Sequence, residues 1–225
     1  MSRTIPAWIF TARNGKDVVA IADAEYPLDP SRPPVFFLPK YLEARLPVGW
    51  IEAQEQIPLT ERHPLADWLK ECRRFLASLE DRGPLGEYKD ILTTTAAAVL
   101  LLAYDIYSLD RNRNLQDSLV ERLIVRQLFQ GAHHEASVAA TMMRADFDIE
   151  FEDESDSSRK HPEFIATHHA SKTRIAVEAK SIHRKGIMGF DDGNPPPTVE
   201  TANAHKIAAQ VCGQVEKALQ KANDL

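Results

Sequence analysis

Hydrophobic positions change period along this chain, and the changes mark its elements. Ala7 to Ala12 and Asp17 to Ala22 are apolar, β-prone runs on either side of Asn14-Gly15. That dipeptide favours a type I′ turn, so the opening is expected to be a β-hairpin. Pro27, Pro30, Pro33 and Pro34 then block regular structure until Val35 to Leu38, which is expected to form a short strand; Pro39, Pro47 and Pro58 keep the region irregular. From Pro64 the period becomes helical. Leu65, Trp68, Leu69, Cys72, Phe75, Leu76 and Leu79 recur on one helix face as far as Gly83, a stripe that belongs to a core. A second helix is expected over Glu87 to Leu109, apolar on most sides near Ala96 to Ala103 and therefore central. Two more are expected over Leu115 to Gln130 and His133 to Ala145, divided at Gly131.

After Ala145 the period falls to two. Phe147, Ile149 and Phe151 alternate with Asp148, Glu150 and Glu152, as in a strand with one buried face. A polar loop from Asp153 to Lys160 follows. Phe164 to His168 and Arg174 to Ser181 are two further β-prone runs, and Thr198 to Ala222, after Pro195-Pro196-Pro197, carries Ile207, Val211, Val215 and Leu219 at helical spacing. The expected organisation is an N-terminal hairpin and proline-rich module over residues 1–60, a helical region over 61–132, and an α/β unit over 133–225.

Bulk properties narrow the functional classes. The chain has 225 residues, 44% hydrophobic and 27% charged, enough to bury a core and too balanced for a disordered or fibrous protein. Cys72 and Cys212 have no metal-type or redox spacing, and the longest apolar stretch is too short for a membrane span, so a cytoplasmic protein is expected. The net charge of -6 is unevenly spread: Asp146 to Asp156 holds seven carboxylates and no Lys or Arg, whereas Arg159 to Gly186 holds seven Lys or Arg against Glu163 and Glu178. A basic segment beside an acidic one is compatible with a nucleic-acid partner, because local charge decides that binding.

Chemistry is suggested by the last two β-prone runs. Glu178 and Lys180, two apart on one strand, project from the same face. With His169 to Lys172 as a four-residue loop, His168 opposes Thr173 and Glu163 opposes Glu178. Two facing carboxylates repel unless a cation lies between them. Hard divalent ions take oxygen ligands, so Glu163, Glu178 and the Ala179 carbonyl form a candidate partial shell for Mg²⁺ or Mn²⁺. Lys180 would act as a charge beside it, orienting an attacking water or helping to deprotonate it, and stabilising charge on phosphorus. Asp148 or Glu150 on the preceding strand could replace Glu163, with Glu150 the better placed. Beyond the strand, His183, Arg184 and Lys185 are candidate nucleic-acid contacts. His161, His168, His169 and His183 lack a zinc-site pattern.

His-Pro-Glu-Phe-Ile at 161–165 followed by Ile-Ala-Val-Glu-Ala-Lys-Ser at 175–181 resembles the PD-(D/E)XK superfamily of restriction-endonuclease-like proteins. The resemblance covers roughly residues 133–222. It implies an α/β (α+β) core of helix, three strands and helix, and a Mg²⁺-dependent nuclease that hydrolyses phosphodiesters, with DNA as the expected substrate. By this resemblance Glu178 is the metal-binding acid and Lys180 the catalytic lysine. Glu163 stands where the family usually has aspartate, and Glu135 takes the place of a glutamate on the first core helix. A nuclease-fold protein that has lost catalysis and serves as a binding or scaffolding module is the alternative. Because the family core continues with another strand, either the chain is shorter than the natural protein or another element, best the Ala7 to Ala22 hairpin, covers the sheet edge.

Overall fold

The computed structural model describes residues 10–13, 16–21, 24–27, 34–80, 93–152 and 162–180. Within them the chain is a mixed α+β protein with six α-helices and two three-stranded antiparallel sheets.

The opening hairpin forms as expected. Strand β1 (Phe10–Arg13) pairs antiparallel with β2 (Lys16–Ile21), and the Arg13–Lys16 pairing leaves a two-residue connection. A third strand, β3 (Ala24–Pro27), pairs with the other side of β2. Its terminal proline hid it in the sequence, but Pro27 lies at the end of an edge strand, where a missing N–H is tolerated.

Val35 to Leu38 is not a strand. Pro34–Phe36 forms a 3₁₀ turn that runs into α1 (Phe37–Arg45). Prolines 34 and 39 fall in the opening turns, where a helix has no use for their N–H groups, so they initiate structure here instead of blocking it. Phe37 and Leu38 recur one turn later as Tyr41 and Leu42, all buried. Gly49, at φ +78°, then turns the chain into α2 (Trp50–Glu55), a left-handed conformation that glycine adopts without Cβ strain.

Helix α3 (Pro64–Glu80) buries Leu65, Leu69, Cys72, Leu76 and Leu79, the stripe read from the sequence. Helix α4 (Thr94–Arg111) starts later than Glu87. The Thr93 hydroxyl accepts a hydrogen bond from the Ala96 N–H at 3.1 Å and caps it, while residues 81–92 lie outside the described chain. The next two helices divide at a different place from that expected. α5 (Asp117–Leu123) is short, and α6 (Phe129–Arg144) passes straight through Gly131. Burying Phe129, Ala132, Ala136, Ala139 and Met143 on one face requires the helix to begin at Phe129, and this outweighs the roughly 1 kcal/mol that glycine costs against alanine in a helix.

The second sheet consists of β4 (Phe147–Phe151), β5 (Phe164–His168) and β6 (Arg174–Val177), in that order. Ile149, Phe164 and Ala166 face a hydrophobic core that also contains Val19, Tyr41, Leu69, Leu102 and Phe129, so the first sheet, the helices and the second sheet share one buried cluster. The N-terminal hairpin does not pair with the second sheet, because it forms a separate sheet with β3. The helix expected over Thr198 to Ala222 lies outside the described residues, as does the polar loop up to Lys160. No helix among the described residues is long and apolar enough to cross a membrane.

Candidate functional site

The β5–β6 hairpin has the register that its four-residue loop implies. Phe164 faces Val177, Ala166 faces Ile175, and the His168 N–H donates to the Thr173 carbonyl at 2.8 Å. Just past β5 the Glu163 N–H donates to the Val177 carbonyl at 3.0 Å, one residue out of step with the ladder, in which Val177 faces Phe164. Glu163 and Glu178 each follow directly from the last pair of the ladder, Phe164 and Val177, at the open end of the hairpin.

Lys180 joins them. Its Nζ donates to Glu178 Oε1 at 2.6 Å and to Glu163 Oε1 at 2.9 Å. The Glu178 side chain is only 6% exposed and that of Glu163 13%, whereas Lys180 is 41% exposed, so two largely buried carboxylates converge beneath a lysine open to solvent. Burial disfavours the charged ammonium, but hydrogen bonds to Glu178 and Glu163, with their negative charge, outweigh it and raise the Lys180 pKa above its ordinary value. In this arrangement Lys180 is a fixed cation and not a base.

Other candidates fall differently. Glu135 is buried on α6, where its carboxylate accepts a two-pronged ion pair from Arg122 of α5, at 2.6 and 2.9 Å. That pairing is a structural tie between two helices, and it was invisible in the sequence because the partners lie 13 residues apart on separate elements. Asp148 and Glu150 lie exposed on β4, on the same sheet face as Glu163 but one strand further from Glu178. Glu152 was overlooked: its N–H reaches the Glu163 carbonyl at 3.4 Å, one step past the β4–β5 ladder, so Glu152 stands beside Glu163. The alternation of β4 held the signal, but only the β4–β5 register could place it. Ala179 lies half-buried between the two functional side chains. Among the described residues no three His, Cys, Asp or Glu side chains converge closely enough to hold a metal. His183, Arg184 and Lys185 lie outside the described residues, as does His161.

No family model, curated protein or solved structure matches this chain.

Proposed function

We propose that the protein is a metal-dependent nuclease of PD-(D/E)XK type, hydrolysing phosphodiester bonds in DNA, with Glu163, Glu178 and Lys180 as its working residues on a restriction-endonuclease-like core. The observation that carries this reading is the convergence of Glu163 and Glu178 on one ammonium at the end of a hairpin. Their chemistry fits a hard divalent cation: two carboxylates and the Ala179 carbonyl supply oxygen donors, and Mg²⁺ often binds through one or two carboxylates, leaving its other positions to water and substrate phosphate. When bound, Mg²⁺ or Mn²⁺ supplies an acidified water and neutralises charge on the phosphate. The chain does the rest. Glu163 and Glu178, at the open end of the hairpin, fix where positive charge gathers. Lys180, protonated and solvent-facing, is aimed at an anion that arrives from outside and stabilises the charge growing on its oxygens. Glu135 is left out of this set, because Arg122 holds it.

The same geometry supports a second reading, a nuclease-fold module without catalysis. Lys180 already bonds to both carboxylates, and among the described residues no third ligating side chain converges with them. A plasmid-cleavage assay titrated with Mg²⁺ and Mn²⁺ separates the two. Metal-dependent nicking by the wild type, lost in Lys180→Ala and in Glu178→Gln, is the outcome the nuclease reading expects. Retained DNA binding with no cleavage at any metal concentration would establish the binding module instead.

A further inference from the structure

The ammonium of Lys180 stands where a positive ion shared by Glu163 and Glu178 would have to stand. Its Nζ is 2.6 Å from Glu178 Oε1 and 2.9 Å from Glu163 Oε1, so one charge bridges both carboxylates. Those side chains are 6% and 13% exposed, and carboxylates so withdrawn from water and so close together are held charged only against a cation. Among the described residues no third ligating side chain converges with them, so any divalent ion gains the same two carboxylates that the ammonium already uses. An ammonium and a divalent ion gathered on that one pair would set three positive charges against two negative ones. Repulsion between the two cations is strong there, because little water reaches the pair to screen it.

We propose that Lys180 is a tethered competitor of the metal: it holds the cation position between Glu163 and Glu178 and leaves for solvent as a divalent ion binds. This rests on the reading of the site as a metal-dependent nuclease and adds how that site is loaded. Two features let Lys180 leave. The paired part of β6 ends at Val177, so Lys180 lies beyond the last position that the ladder holds. Its side chain is 41% exposed on a flexible four-carbon stem, which gives the ammonium a direct way into water. Two charges in place of one favour the exchange, and the reluctance of Mg²⁺ to shed its water opposes it, so Lys180 sets the metal concentration at which the site fills. Once displaced, the ammonium stays tied to the chain two residues from Glu178, free to meet the phosphate of an arriving strand.

The test uses the full chain, labelled with nitrogen-15, without nucleic acid, and titrates in Mg²⁺ alone while the lysine ammonium and backbone amide signals are followed by NMR. The Lys180 ammonium signal is assigned by its loss in Lys180→Met, or in Lys180→Arg if removing the charge unfolds the chain. It is expected to start at a position set by its two carboxylate partners and to move to that of solvent-exposed lysines, with the same midpoint as the amide shifts of Glu163 and Glu178. Lys180→Met, which keeps an apolar stem and removes the competing charge, is expected to bind Mg²⁺ at least about tenfold more tightly than the wild type. An ammonium signal that stays in place while Mg²⁺ saturates Glu163 and Glu178 would overturn the proposal, as would an affinity unchanged or lowered in Lys180→Met. Either result leaves the nuclease reading intact, since plasmid cleavage tests that separately. Displacement of Lys180 by Mg²⁺ in a protein that cleaves nothing would support the proposal and remove the nuclease reading. Absence of Mg²⁺ binding by both proteins would overturn the two together.

Discussion

Buried carboxylates are handled in two ways in this molecule. In the helical region each has an arginine. Asp110 on α4 accepts from Arg45 and, at 2.5 Å, from the Tyr41 hydroxyl; Asp105 pairs with Arg144 at 2.7 Å; Glu135 pairs with Arg122. At the β5–β6 hairpin Glu163 and Glu178 share one lysine. A guanidinium cannot lose its proton and can pair along two parallel bonds, as Arg122 does with Glu135, which suits a permanent tie between elements. A lysine is a single mobile charge on a flexible stem. The helical pairs also join distant segments, α1 to α4, α4 to α6 and α5 to α6, whereas the hairpin cluster joins strands that the ladder already holds. The contrast separates charges that hold the fold from charges free for work.

The sharpest way to break this contrast is Glu178→Gln. The amide is nearly isosteric and Lys180 keeps Glu163, so stability should fall by only about 1 kcal/mol, or roughly 2–4 °C in melting temperature. Cleavage should fall by at least about a thousandfold, near 4 kcal/mol of transition-state stabilisation. A drop of ten degrees or more would make Glu178 one more structural carboxylate, and the contrast would disappear.

Arg122→Ala tests the other side. It leaves Glu135, whose side chain is 4% exposed, without its guanidinium, and removing one partner of a buried pair costs about 3–5 kcal/mol. Chemical denaturation should show that loss, with metal-dependent cleavage unchanged for the fraction still folded. Cleavage lost at full stability would return Glu135 to the site.

How much of this was legible beforehand depends on the range of the forces involved. The hairpin register could be read because a four-residue loop and a period of two leave one alignment that buries Phe164 and Ala166. The α3 stripe was legible for the same reason: local period and burial agree. Val35 to Leu38 misled because an apolar run of four fits either strand or helix, and the deciding contacts, Tyr41 with Tyr26 and Tyr107, lie far along the chain. The partner of Glu135 depends on how helices dock, which no local pattern encodes.

Acid should weaken the helical region through His63. Its Nδ1 accepts from the Leu65 N–H at 3.2 Å at the start of α3, and its ring is enclosed by Trp50 and Phe129. Burial, helped by the charge of Arg126, pushes its pKa down to about 4. The folded protein thus keeps His63 neutral while the unfolded chain takes up a proton near pH 6.5. Stability from this residue is complete above about pH 6.5, falls as pH drops towards 4 and then levels off. The loss is roughly 3 kcal/mol in all, about 2 of it by pH 5. Denaturation curves at pH 7 and pH 5 should differ by that amount beyond the background seen in His63→Asn, which keeps a capping side chain but does not titrate. An equal pH slope in both proteins would show that His63 is not the group responsible.

The smallest effect expected is a gain in stability. Gly131 lies in the first turn of α6, with nothing within 4 Å of where a Cβ would stand and no left-handed backbone. Alanine there removes conformational freedom from the unfolded chain and adds no clash, so Gly131→Ala should stabilise the protein by about 0.5–1 kcal/mol, or roughly 1–3 °C in melting temperature. Helix α6 carries Glu135 and packs on β4, which makes it the bridge between the two regions compared above. If charges that hold the fold are separate from those that work, stiffening this helix raises the melting temperature and leaves the rate of metal-dependent cleavage where it was. A slower rate in Gly131→Ala would mean that the hairpin site needs α6 to give way during turnover, and the two regions would then have to be treated as one device. A lower melting temperature would show instead that the start of α6 needs the freedom of glycine, placing the break between α5 and α6 nearer to where the sequence suggested it.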